Sequence, residues 1–287
     1  MKSDILSIVE KIKNRTGVAF AETLGKWPRD CSELDIADAW LHKLRSDPDF
    51  YEDGWYMPPP HGIITLFGKP EDRYQRVCEA SFRPEYMWPR KDMCYAPEDI
   101  FAVYASPVHK ETKLIGDFGL TLYMGSSKEV HQHCENVLQT SLHIARNAKV
   151  GMPFRELYQF GMDYGAKKGF KNDIVSPSDP TDTNIGHSIP LSWQGDSAHD
   201  AISHAKSFEE IMTALRYGRK FVNGKEEQLI EENMAFTVEP RFSTSSLPQA
   251  WFHLTVIFEN GERRIAHGFR PVFEKCRLNH LSRLLPQ

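Results

Sequence analysis

The chain has 287 residues, 40% hydrophobic and 26% charged, with a formal net charge of -4. That balance is ordinary for a soluble globular protein and offers no basic face for nucleic acid or an anionic membrane, so neither is expected as a partner. Five cysteines without a CxxC pair argue against a disulfide framework and against a thiolate zinc site, which predicts a reducing, cytoplasmic setting.

At the start, Ile5, Ile8, Val9 and Ile12 recur at helical spacing among Glu and Lys, predicting an amphipathic helix rather than a secretion signal. No stretch approaches the roughly 18 apolar residues of a membrane span. Ser32 is placed to cap a second helix whose apolar face carries Leu34, Ala37, Trp40, Leu41 and Leu44 and which stops before Asp47-Pro48. The rigid run Pro58-Pro59-Pro60 presents His61-Gly62 ahead of a short strand, Ile63 to Phe67. A hairpin follows, with one strand over Ile100 to Val108, a turn at His109 to Thr112 and a return strand over Lys113 to Met124. Ser126-Ser127 opens a helix that runs to about Lys149, and another extends from Phe154 to Lys168 before Gly169.

Residues 171–206, rich in Ser, Asp, Thr and Pro, read as a long ordered loop around Gly186-His187. Strands then return at Met234 to Glu239 and Trp251 to Phe258, and Glu259-Asn260-Gly261-Glu262 is a hairpin turn into one more. Helices grouped with antiparallel strands give an α+β class. A single domain over 1–287 is expected, with helices and lead-in over 1–100 and the functional half over 100–287.

Three apolar, strand-like runs each hold one ionisable residue that breaks the pattern: Asp117, Glu239 and His253. Burying a carboxylate costs several kcal/mol unless its charge is compensated. A divalent cation shared by all three is an economical compensator, and carboxylate and imidazole ligands suit Zn, Mn, Fe or Co. Singly, each has an ordinary alternative: Asp117 on an outward edge, His253 as a hydrogen-bonded core residue, Gly186-His187 as a common dipeptide. His131 and His133, two apart on a helix, point to different faces and make no metal pair.

The order and context of the set resemble the creatinase, methionine aminopeptidase and prolidase family. The matching elements are Gly116-Asp117-Phe118, Asn184 to Pro190 with Gly186-His187 inside it, Phe236-Thr237-Val238-Glu239-Pro240 and His253-Leu254-Thr255-Val256. Ser32-Glu33-Leu34-Asp35 is similar to the family's Thr-Glu-Leu-Glu element. The resemblance spans about residues 30 to 275. It implies the pita-bread fold, a curved antiparallel sheet covered by helices, and often a homodimer.

The family's five-ligand, two-metal set is incomplete here. Asp117, His187 and Glu239 fit their positions. No carboxylate stands near Tyr104 to Ser106, where the first aspartate belongs, and His253 replaces the last glutamate. The resemblance therefore implies one divalent metal per chain, held by Asp117, His187, Glu239 and His253. A second family histidine, which contacts substrate, falls near Gln194, and Pro190 stands where the family has glycine. His61 matches a substrate-contacting histidine of methionine aminopeptidases and is a candidate base beside Glu239. Arg241 suits a substrate carboxylate, with a structural salt bridge as its plain alternative. Tyr104 is a candidate phenol at the missing aspartate's place.

The function these residues imply is a metal-dependent hydrolase acting on a small amide or short peptide. Two other readings fit the same residues: a mononuclear iron enzyme such as an oxygenase or lyase, and a non-catalytic binding protein of the same fold.

Overall fold

The computed structural model describes residues 6–25, 31–78, 82–172, 179, 181, 183–190 and 197–286. The first helix, α1 (Ser7–Leu24), buries Val9, Ile12, Thr16, Phe20 and Leu24, and Lys13 falls on the same inward stripe. The next, α2 (Glu33–Arg45), starts at Ser32 as predicted. The Ser32 hydroxyl accepts from the Asp35 amide while the Asp35 carboxylate accepts from the Ser32 amide, a reciprocal cap. Glu33 beside it is fully buried; its carboxylate accepts from the amides of Phe67 at 2.7 Å and Arg90 at 3.1 Å and pairs with Arg76 at 2.5 Å. That acid ties the start of α2 to the first strand.

The strand is β1 (Ile63–Gly68), which pairs antiparallel with β2 (Ile100–Ala105), and β2 pairs with β3 (Phe118–Tyr123). Every residue of the three is buried, as in a sheet covered on both faces. Both hairpin strands are shorter than the sequence predicts. The chain leaves the ladder after Ala105, bridges once more between Val108 and Ile115, and re-enters at Phe118. Asp117, immediately before, has φ +33°, which is not strand geometry.

Two helices follow: α3 (Lys128–Asn147), capped by the Ser127 hydroxyl, and α4 (Phe154–Lys167). The stretch read as a loop over 171–206 holds regular structure instead, namely β4 (Lys171–Asn172) and α5 (Ser197–His204). A further helix, α6 (Phe208–Gly218), packs against α5 as a helical hairpin. The apolar content of α5 is two alanines and Ile202, too little to show a helical period until α6 supplies a partner.

The remaining strands are β5 (Met234–Val238), β6 (Phe242–Ser243), β7 (Leu254–Glu259) and β8 (Glu262–Ala266), followed by α7 (Arg270–Lys275) and α8 (Asn279–Ser282). Pairing runs β5-β7-β8 in one sheet and β4-β6 in another. Asn260 and Gly261, at φ +57° and +78°, make the predicted two-residue turn between β7 and β8.

Hydrogen bonds join the two three-stranded sheets at a seam. The Thr121 amide donates to the Trp251 carbonyl at 3.0 Å and the His253 amide to the Gly119 carbonyl at 2.8 Å. On the other side of β5, the Thr237 amide donates to the His187 carbonyl at 2.7 Å and the Glu239 amide to Ile185 at 2.8 Å. The result is an antiparallel surface with helices packed on it, the α+β pita-bread architecture expected. Among the described residues no helix is long and apolar enough to cross a membrane. Cys94, Cys134 and Cys276 are free.

Candidate metal centre

The three pattern-breaking residues sit one position outside the strands they were read into. Asp117 precedes β3, Glu239 follows β5 and His253 precedes β7. At a strand end the ladder still holds the backbone, yet the side chain is released from the alternation that would send it to one face. All three side chains turn into the seam.

There Asp117 Oδ1 lies 3.1 Å from His253 Nδ1, and Asp117 Oδ2 lies 2.9 Å from His187 Nε2. Glu239 Oε2 is 2.9 Å from His253 Nδ1, and its Oε1 is 3.8 Å from His187 Nε2. The side chains are only 1–11% exposed. Asp117, Glu239 and His253 each place one ligand atom within 4.8 Å of the other two, the only such cluster among the described residues. His187 closes on the carboxylates of that trio.

Two observations fit a cation here. Donor atoms 2.9–3.8 Å apart match the edges of a coordination sphere whose bonds are about 2.0–2.2 Å long. In addition, Asp117 Oδ2 and Glu239 Oε2 are buried and make no hydrogen bond among the described residues, although an imidazole nitrogen lies 2.9 Å from each. Such close approach without N–H···O alignment is the arrangement of lone pairs aimed at a common point.

Local structure sets each ring. The His187 Nδ1–H donates to the Ser188 carbonyl at 2.9 Å, which leaves the Nε2 lone pair facing the carboxylates. Gly186, at φ +148°, admits no side chain: a Cβ would come within 2.0 Å of the Thr237 carbonyl oxygen. The His187 amide is held by Thr237 Oγ1 at 2.9 Å, and Trp55 packs edge-on against the ring. His253 turns Nδ1 to the carboxylates because its far edge lies on Gly119.

Burial opposes ionisation of Asp117, but the close approach of the His187 and His253 rings outweighs it and holds the carboxyl well below its usual range. Burial works against Glu239 in the same way, and the His253 charge more than offsets it, so this carboxyl is also lowered. For His253, burial favours the neutral ring, while the charge of Glu239 and the bond to Asp117 raise it above its ordinary value. Both carboxylates are ionised donors at neutral pH.

Tyr104, the candidate at the missing aspartate's place, is buried with its ring 5.4 Å from that of His253. Burial, then the charges of Asp117 and Glu239, push its phenol well up, so it stays a protonated donor. Arg241 is stacked 4.1 Å over Phe82 and 5.2 Å over Trp251, and the Glu239 charge reaches it. His61 is not one of the grouped donors. Its side chain is 45% exposed, with Nδ1 held by Asp53 at 2.8 Å and within 3.1 Å of Arg45, and that pairing keeps it at the surface. Gln194 lies outside the described residues.

Two residues near the cluster escaped the sequence reading. Arg219 is buried over Trp55 at 4.5 Å and Phe221 at 5.0 Å, in the field of Asp117 and Glu239. Nothing in its sequence context marks it. Lys13 donates to the carbonyls of both Asp117 and His253. It left a signal, since it lies four residues after Val9 on the apolar stripe of α1.

A family model described as metallopeptidase family M24 matches residues 9–269. No curated protein matches the sequence. Among solved structures, the chain is similar to the prolidase from Pyrococcus furiosus at 13% identity and TM-score 0.60, covering 93% of this chain and 64% of that one. It is similar to a methionine aminopeptidase from Thermotoga maritima at 12% identity and TM-score 0.59, covering 90% of this chain and 94% of that one. An X-prolyl aminopeptidase from Caenorhabditis elegans, described as a cytosolic enzyme with a di-nuclear active site, matches at 13% identity and TM-score 0.58, over 88% of this chain and 35% of its own. The chain thus spans less than two thirds of the prolidase and about a third of the X-prolyl aminopeptidase.

Proposed function

The chain belongs to metallopeptidase family M24, and from that membership we propose a metal-dependent hydrolase of a small amide or peptide-like substrate with a mononuclear centre. The observation that carries the reading is the convergence of Asp117, His187, Glu239 and His253 on one buried space. A divalent cation bound there would supply Lewis acidity toward a scissile carbonyl and make a nearby water more acidic.

The mononuclear part follows from donor chemistry. A carboxylate has two oxygens and can bridge two cations, whereas His253 offers the site one nitrogen and turns its other edge to Gly119. Across the hairpin, Ala105 stands opposite Phe118 and Tyr104 opposite Gly119, and Ser106 gives its hydroxyl to the Gly62 carbonyl at 3.1 Å. No carboxylate there serves a second ion.

The chain's own groups divide the remaining work. Glu239, at 8% the most exposed of the four, is the one we assign to take a proton from water. Tyr104 donates toward a developing oxyanion, and Arg241 receives a substrate carboxylate between the aromatic faces of Phe82 and Trp251. The absence of a CxxC pair and the free Cys94, Cys134 and Cys276 fit a reducing compartment such as the cytoplasm.

Elemental analysis of purified protein is expected to give one tightly held divalent metal per chain, and His187→Ala to remove both the metal and amide hydrolysis. Two tightly held ions, or full turnover by a verified metal-free variant, would refute the proposal. The same donors suit ferrous iron, so iron together with substrate-dependent oxygen uptake would replace hydrolysis by oxygenation.

A further inference from the structure

Lys13 is completely buried in α1, and its ammonium donates to two main-chain carbonyls, Asp117 at 2.8 Å and His253 at 2.9 Å. These are two of the four residues in the cluster, 136 positions apart in sequence. A buried ammonium carries a desolvation cost that a methionine of similar length avoids. Packing alone therefore gives no reason for a lysine here. What the ammonium adds is a pair of hydrogen bonds that fix the spacing of the two backbones carrying Asp117 Oδ1 and His253 Nδ1.

The helix that carries Lys13 is itself seated without slack. A Cβ on Gly268 would come within 2.3 Å of the Lys13 carbonyl oxygen, and one on Gly17 within 1.9 Å of the Gly268 carbonyl oxygen. The ammonium is thus delivered from a fixed platform to two strand ends at the seam, beside the bond from the His253 amide to the Gly119 carbonyl.

We infer that Lys13 is a positioning residue of the metal centre, clamping the Asp117 and His253 backbones so that their side chains present donors at coordination spacing. This rests on the metal-centre reading above. Lys13 bonds only to main chain, with its charge lying near the Asp117 and Glu239 carboxylates, and takes no part in the bond to the cation.

Cobalt(II) is the probe, because its visible absorption reports coordination geometry as well as occupancy. Added to metal-free wild-type protein, it is expected to bind and give a defined d–d band. Lys13→Met, checked for folding by circular dichroism, is expected to bind at least about tenfold more weakly and with an altered band. Lys13→Arg, which keeps a cation with several donors, is expected to move the band back toward wild type. Unchanged affinity and band in Lys13→Met overturn the inference, as does a lower melting temperature with an unchanged band, which would mark a purely structural lysine. If wild type binds no cobalt, the metal-centre reading itself falls. If Lys13→Met does not fold, the 15N resonance of the Lys13 ammonium in wild type decides: it must shift on Zn2+ addition, and an unmoved resonance in zinc-loaded protein overturns the clamp.

Discussion

Asp117 takes φ +33° one position before β3, and that twist turns a residue of a buried hairpin into a donor aimed at the seam. Its neighbour two positions on, Gly119, is as constrained by what lies above it. A Cβ there would meet the His253 ring at 2.9–3.0 Å, tighter than side chains tolerate, so the buried ring must shift. Gly119→Ala is therefore expected to push His253 off line and weaken Zn2+ binding roughly tenfold or more, read by isothermal titration. Wild-type affinity in that variant would mean His253 is not a ligand. At this scale the sequence was legible where a polar residue interrupted an apolar run, as with Asp117, Glu239 and His253. His61, read as a substrate contact from its likeness to a histidine of methionine aminopeptidases, pairs with Asp53 and Arg45 at the surface. Which loop histidine turns inward depends on partners that only folding assembles.

Helices and turns were read well wherever the chain carries its own punctuation. Ser32 with Asp35 and Ser127 before Lys128 start helices at the expected places, and Asn260-Gly261 closes the expected hairpin. Where an element relies on a partner, as α5 does on α6, the sequence read as loop. The start of α7 depends on such a partner too. His267 Nδ1 accepts the Phe269 amide at 3.1 Å, and burial, followed by the nearby Lys13 charge, draws this imidazole down to about 4. The sign follows directly. Below an unfolded value of about 6.5 the unfolded chain takes up a proton that the folded ring refuses, so stability falls with pH until about 4, where the folded ring protonates as well. The effect is on the order of 3 kcal/mol. His267→Gln, whose amide oxygen can still accept from Phe269, is expected to flatten the dependence of the urea midpoint on pH in that window; an unaltered slope would contradict the assignment.

For the whole molecule, the cluster joins strand ends from both three-stranded sheets with the Gly186-His187 segment that borders β5. A cation there cross-links parts of the chain that hydrogen bonds connect at only a few points. Zinc at about a hundredfold over its dissociation constant is expected to add about 2.7 kcal/mol, roughly 4–5 °C in melting temperature for a chain of this size. Thermal denaturation with and without chelator measures it. The increment should vanish in His187→Ala, and an increment that survives there would place the ion elsewhere.

Sequence by itself determined the class of the fold and the starts of α2 and α3, and it singled out Asp117, Glu239 and His253 as pattern breakers, with His187 added by the family resemblance, because caps, turns and misplaced charges are local and carry their reasons with them. Only the tertiary structure decided that Lys13 and Arg219 stand beside that cluster and that His61 pairs with Asp53 and Arg45. Burial and long-range contact are properties of the packed chain, and a lysine or arginine surrounded by ordinary neighbours in sequence gives no sign of which carbonyls or rings will enclose it.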